Sequence, residues 1–160
     1  MKKFILIYGP PGIGKTTVGR ELQEVLNNSM FLDVDNLWDI NPFEVNNDNI
    51  QMVETNLEFM IENYSKNDSL DYLICVWVIQ TKESFEFMKS ISSMIDNRKF
   101  IRLTCDKEAL KDRMISDNRP QINIDYSMYL QDKYIPLEDI LVDTSSLTVK
   151  EIVSKINEKI

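Results

Sequence analysis

The sequence predicts an α/β fold with a five-stranded parallel sheet in the middle of three layers, on three observations. Five short apolar runs are spaced along the 160 residues. Two of them, 4–8 (FILIY) and 72–79 (YLICVWVI), are continuous rather than alternating, as strands buried on both faces read. Between the runs, apolar residues recur at spacings of three and four, the period of a helix with one buried face. Strands alternating with helices in this order imply a parallel sheet covered on both sides.

Taken in order, the first strand at 4–8 leads into a helix over 16–26, with Val18, Leu22, Val25 and Leu26 on one face. A second strand, 30–34, carries Asp33 and Asp35 at its end. Ile50, Val53, Leu57, Met60, Ile61 and Tyr64 give the strongest helical repeat in the chain. The third strand, 72–79, is followed by a helix marked by Phe85, Met88, Ile91 and Ile95. The fourth, 100–105, precedes Asp106, placed to cap a helix through Ala109, Leu110 and Met114. The fifth, 140–142, precedes Thr148 and Glu151, whose spacing is that of a capping box, and then Ile152, Val153 and Ile156. The stretches 44–49 and 118–134 read as loops, and a short lid is expected at about 114–134. The whole, 1–160, reads as one domain, a usual size for one core.

Composition narrows the function. A net charge of −8 argues against a nucleic-acid partner, since phosphate backbones are held by clustered Lys and Arg. In so acidic a chain the position of each cation is informative. Cys75 and Cys105 lie inside apolar runs and read as buried thiols rather than as a disulfide or metal framework. There is no His, so any acid–base step falls to a carboxylate or to water. The apolar run after Met1 is too short for a signal peptide or a membrane span, so the expectation is a soluble, cytoplasmic protein without membrane partners.

In an open parallel sheet, ligands gather at the carboxyl ends of the strands. After the first strand stands 9–16, GPPGIGKT, a complete G-x-x-x-x-G-K-[ST] phosphate loop. Gly9, Gly12 and Gly14 let backbone N–H groups, that of Ile13 among them, turn inward around a phosphate. Lys15 adds a mobile charge for the outer phosphates, the Thr16 hydroxyl is placed for Mg²⁺, and Thr17 continues the helix whose positive end faces the anion. All four glycines of the chain fall between Gly9 and Gly19. ATP and Mg²⁺ are therefore the expected cofactors.

The third run ends Trp77-Val78-Ile79-Gln80, without the acid that many motor ATPases place there. Asp33 and Asp35 instead follow the second strand, two apart and pointing to one side. One can assist the metal (Asp33, with Thr16) while the other (Asp35) orients or deprotonates an acceptor hydroxyl. A pair of solvated carboxylates capping the next turn is the plainer alternative. Trp38, Phe43 and Gln80 are the candidate acceptor-side residues, with Trp77 more readily explained as core.

On these residues the sequence resembles the small P-loop kinases, the group of adenylate, shikimate, gluconate, nucleoside and nucleotide kinases. The resemblance spans most of the chain: GPPGIGKT, the D-x-D of Asp33 and Asp35, the segment from Arg113 to Pro120, and Asp143-Thr144-Ser145. It implies a P-loop NTPase fold. It also implies that Arg113 lies against the nucleotide, that Arg119 closes from a lid over the transferring phosphoryl group, and that the turn at Thr144, Ser145 and Ser146 borders the adenine. The Gly-rich stretch and Arg of shikimate kinases and the Asp-Arg pair of thymidylate-type kinases are missing. The expectation is phosphoryl transfer from ATP to a small molecule such as a nucleoside, nucleotide or similar hydroxylated acceptor, by a monomer or homodimer. The alternatives are a nucleotide-dependent switch without an acceptor and an antibiotic-modifying kinase.

Overall fold

The computed structural model describes residues 1–133 and 140–160. Five strands, β1 (Lys3–Tyr8), β2 (Ser29–Asp33), β3 (Tyr72–Trp77), β4 (Asn97–Thr104) and β5 (Ile140–Asp143), form one sheet in the order β2-β3-β1-β4-β5. All neighbours run parallel, with Ile5 opposite Ile74 on one side and Lys99 on the other. The helices are α1 (Lys15–Val25), α2 (Asn47–Lys66), α3 (Lys82–Ile91), α4 (Lys107–Ser116), α5 (Gln121–Lys133) and α6 (Val149–Asn157), with a 3-10 turn at Val34–Trp38. The central position of β1 explains its unbroken apolar run: Phe4 to Tyr8 are all fully buried, alternate residues entering opposite layers. Ile5 and Ile7 join Val18, Leu22 and Ile152 on one face, while Phe4, Leu6 and Tyr8 join Leu57, Ile61 and Phe85 on the other.

The capping box at Thr148 and Glu151 is formed in both directions. Cys75 and Cys105 are unpaired and buried. No described helix is long and apolar enough to cross a membrane.

The second strand ends one residue earlier than expected, at Asp33, and Val34 opens the 3-10 turn. The third ends at Trp77, and the fourth starts at Asn97, its half-buried first residues lacking an apolar signature. The stretch 44–49 is loop only in its first part, because Asn46 caps α2 by accepting from the Asn49 N–H. Asp106 occupies the cap position of α4, yet its side chain makes no capping bond.

The largest departure is at 118–134, read as loop. Residues 121–133 form α5, and position 134 lies outside the described residues. Its helical period was hidden because apolar residues stand on both sides: Ile124 and Leu130 face inward, whereas Ile122, Tyr126 and Tyr129 are exposed. Helices α4 and α5 meet through a tight reversal. Asn118 adopts a left-handed φ of 54°, its N–H donates to the Ile115 carbonyl, and the Arg119 N–H donates to the Met114 carbonyl. This double closure is a Schellman motif, and Asn tolerates the left-handed position it requires. Pro120 then starts α5 with its carbonyl accepting from Asn123 and Ile124.

Candidate active site

The loop at 9–16 leaves β1 and enters α1 at the carboxyl end of the sheet. Gly14 is the residue before the helix, at φ 100°, and no side chain caps α1. Beyond its chain neighbours, no heavy atom stands within 4 Å of where a Cβ on Gly14 would be. With no acid in the first turn, the N-terminal N–H groups of α1 are open to an anion. Gly12 serves a different need. Its φ is 79°, and a Cβ there would meet Met114 Cγ at 2.4 Å, so α4 packs directly against the loop.

Lys15 is buried, and its ammonium folds back to donate to the Pro10 carbonyl at 3.0 Å. Burial lowers its pKa to about 8, an effect that Asp35 and Asp33 oppose and Arg119 reinforces. Arg119, itself exposed, therefore lies close enough to act electrostatically on the loop lysine.

The two aspartates divide. Asp33 accepts from the Thr16 hydroxyl at 2.9 Å through one oxygen, and from the Asp35 N–H at 3.2 Å through the other. Asp33 thus caps the 3-10 turn that carries Asp35, and also faces the loop. Although Asp35 keeps an open surface, partial desolvation of its carboxyl raises the pKa, the neighbouring Asp33 adds to this, and Lys15 opposes it. Thr16 and Asp33 are both hard oxygen donors, the chemistry that Mg²⁺ takes from a protein when phosphates and water complete its shell. Among the described residues no three His, Cys, Asp or Glu gather into a metal cluster.

Beyond Asp35 opens a cavity of about 540 Å³ between β3, α2, α3 and the 3-10 turn. Asp35, Trp38, Phe43 and Gln80 all line it, as does Trp77, which also packs on the core. The rings of Trp38 and Phe43 lie 6.3 Å apart, tilted by 57°. Glu54 is on the same wall and was missed from sequence. Its signal was present, a carboxylate set among Ile50, Val53 and Leu57 on the apolar edge of α2.

On the other side of the loop a second cleft of about 440 Å³ runs between Gly12, Thr17, Arg113, Leu147 and Ile152. Arg113 donates to the Thr144 hydroxyl at 2.9 Å and to the Thr144 carbonyl, and reaches the Ile13 carbonyl at 3.5 Å. It therefore joins the turn after β5 to the phosphate loop. Ser145 is not among the described residues lining this cleft. Its hydroxyl donates to Asp143 Oδ1 at 2.6 Å and accepts from the Asp106 N–H at 2.8 Å, so its side chain holds the turn together. Also missed was Ser127 of α5, fully buried, which donates to the Pro11 carbonyl at 2.6 Å.

The family described as AAA domain matches residues 5–133. No curated protein matches the chain in sequence. Solved structures do match it over almost its whole length. A gluconokinase from Sinorhizobium meliloti 1021 is 14% identical, with a TM-score of 0.70, over 98% of this chain and 94% of that one. The Deinococcus radiodurans tunicamycin resistance protein is 17% identical, with a TM-score of 0.76, over 99% and 95%. A shikimate kinase from Acinetobacter baumannii, solved in complex with shikimate, is 18% identical, with a TM-score of 0.67, over 99% and 93%. The chain belongs to the AAA-domain family, whose model spans its phosphate loop and four of its five strands, and it has the P-loop fold of small-molecule kinases.

Proposed function

We propose that this protein transfers a phosphoryl group from ATP to a hydroxyl of a small molecule held in the cavity beyond Asp35. The observation that carries the reading is the placement of Asp35. It lines the acceptor cavity and is electrostatically coupled to the loop lysine, so it stands between the two places a transfer must join. Nucleotide phosphates would be held by the N–H groups from Gly12 to Thr17 and by Lys15, which exchanges its bond to the Pro10 carbonyl for a phosphate oxygen. Thr16 and Asp33 would hold Mg²⁺, which when bound neutralises charge on the outer phosphates.

The raised pKa of Asp35 suits a residue that orients an acceptor hydroxyl and takes up its proton. Arg119, fixed by the reversal between α4 and α5, adds positive charge on the phosphoryl side, and Arg113 backs the nucleotide cleft. Trp38, Phe43 and Gln80 would position the acceptor.

ADP release under Mg-ATP, followed across nucleosides, nucleotides, sugars and aminoglycoside- or phenicol-type antibiotics, tests the reading. Stimulation by one hydroxylated class, lost in Asp35→Asn, is the expected result. A slow ATPase indifferent to every acceptor would instead favour a nucleotide-dependent switch. The same assay separates a resistance role, marked by turnover of an antibiotic, from a metabolic one.

A further inference from the structure

The cavity beyond Asp35 has an unusual charge balance for its volume. Among the described residues lining it, the only charged ones are Asp35 and Glu54, both acidic, and none is Lys or Arg. Glu54 is half-buried against Ile50, Val53 and Leu57, and has no hydrogen bond or ion pair among the described residues. A carboxylate held against apolar neighbours favours a counter-charge brought by whatever fills the space. The rest of the wall is mainly apolar and includes four aromatic residues, Trp38, Phe43, Trp77 and Phe87, whose ring faces can attract a cation as well as an apolar body.

One feature of the cavity is of a kind that serves an anion, the N-terminus of α3, since Thr81 and Ser84 also line the space. That end is already satisfied. The Thr81 hydroxyl accepts from the Ser84 N–H at 3.1 Å. The Glu83 carboxylate sits in the first turn, its pKa held low by its own N–H and the Thr81 hydroxyl. Lys82 is next in the chain but exposed, and does not line the cavity. The cations of the site, Lys15 and Arg119, are on the phosphoryl side.

Resting on the reading of this cavity as the acceptor site, we propose that the acceptor is a hydroxyl-bearing amine, cationic at neutral pH, carried on an aromatic or alicyclic body, with Glu54 as its charge partner and anionic acceptors rejected. Sugar acids, shikimate-like acids and nucleotides would bring further negative charge against Asp35 and Glu54, with no cation among the described lining residues to meet it. The amine class places its ammonium at Glu54 and the aromatic faces, leaving a hydroxyl for Asp35.

The molecule carries its own probe, because its two tryptophans, Trp38 and Trp77, both line the cavity. Three compounds on one scaffold are titrated against tryptophan fluorescence: 2-amino-1-phenylpropane-1,3-diol, its neutral N-acetyl amide and its anionic N-succinyl derivative. ADP release under Mg-ATP is measured in parallel. The amine is expected to bind about three- to tenfold more tightly than the amide, the size of a partly exposed charge contact, and the succinyl compound most weakly. Glu54→Gln is expected to bring the amine down to the amide while leaving the amide unchanged. The proposal is overturned if the succinyl compound binds as tightly as the amine, if none of the three changes the fluorescence, or if Glu54→Gln leaves the amine-to-amide ratio intact. Binding in the expected charge order without ADP release would uphold the selectivity and remove the phosphoryl-transfer reading. ADP release driven best by the succinyl compound would do the reverse.

Discussion

The hydroxyl of Ser127 donates to the carbonyl of Pro11 at 2.6 Å, so helix α5 is fastened to the phosphate loop itself. Ser127 is fully buried, and its removal leaves a backbone carbonyl without its partner. Ser127→Ala is expected to cost about 1–2 kcal/mol, or a fall in Tm of roughly 2–8 °C, together with weaker ATP binding. Thermal melts with and without Mg-ATP check this. An unchanged melt and an unchanged ATP affinity would show that α5 does not support the loop.

Lys15→Ala is expected to abolish phosphoryl transfer and leave the fold intact by circular dichroism. The pKa of Lys15 also predicts a proton effect. In the free protein burial lowers it from 10.5 to about 8, so at pH 8–9 a substantial fraction of the side chain is neutral. Phosphate oxygens raise the pKa again, so binding ATP takes up a proton in that range. Calorimetric titrations at pH 8.5 in two buffers of different ionisation enthalpy measure the uptake, and Lys15→Met should lose it. The same shift bears on stability. The unfolded chain binds more protons at this group between about pH 8 and 10.5, so its contribution to stability rises with pH through that window, and the slope flattens in Lys15→Met.

Asp35→Asn is expected to lower the rate with acceptor far more than it weakens ATP binding. Because desolvation and Asp33 raise the pKa of Asp35, kcat/KM for the acceptor should fall on its acid side at a higher pH than an ordinary aspartate would give. That limb should vanish in Asp35→Asn. Equal losses in ATP affinity and acceptor turnover would remove its role toward the acceptor.

Gly12→Ala combines two penalties. A left-handed backbone costs an alanine about 1–2 kcal/mol, and the new Cβ would stand 2.4 Å from Met114 Cγ. Pairing it with Met114→Ala removes the contact and leaves the backbone strain. Denaturant melts of the two single variants and the double variant should show a double variant less destabilised than the sum of the singles. Strict additivity would mean that Met114 turns aside without cost.

Arg119→Ala is expected to lower kcat by about a hundredfold or more with little change in ATP affinity, as removal of a cation from the moving charge does. Since Arg119 lowers the Lys15 pKa, the same variant should raise it and shrink the proton uptake on ATP binding at pH 8.5. Loss of ATP affinity without loss of kcat would place Arg119 on nucleotide binding alone.

The layers of this fold were readable because β1 and β3 have continuous apolar runs buried on both faces, and because Val53, Leu57, Ile61 and Tyr64 of α2 repeat at helical spacing in spite of the exposed Met52 and Phe59. The phosphate loop was readable because its motif is complete and three of the four glycines stand in it, the fourth, Gly19, lying in α1 against Phe31 and Val76. Helix α5 was not, since Ile122, Tyr126 and Tyr129 break the stripe by facing outward. Glu54 escaped because a carboxylate at the margin of an amphipathic helix looks solvated until α3 and Trp77 close the other side of the cavity. Ser145 was placed by likeness to a family turn, and only the side-chain bonds to Asp143 and Asp106 reveal its structural duty.

The supports of the phosphate loop come from far along the chain: Arg113 meets Ile13 across 100 positions, and Ser127 meets Pro11 across 116. During synthesis the glycine-rich segment leaves the ribosome before either prop or the turn at Thr144 exists. Contacts of such long range close last, after the intervening chain has been ordered. A nascent chain thus displays a complete phosphate-binding motif long before it possesses a phosphate-binding site, and competence for nucleotide arrives only with assembly of the C-terminal half.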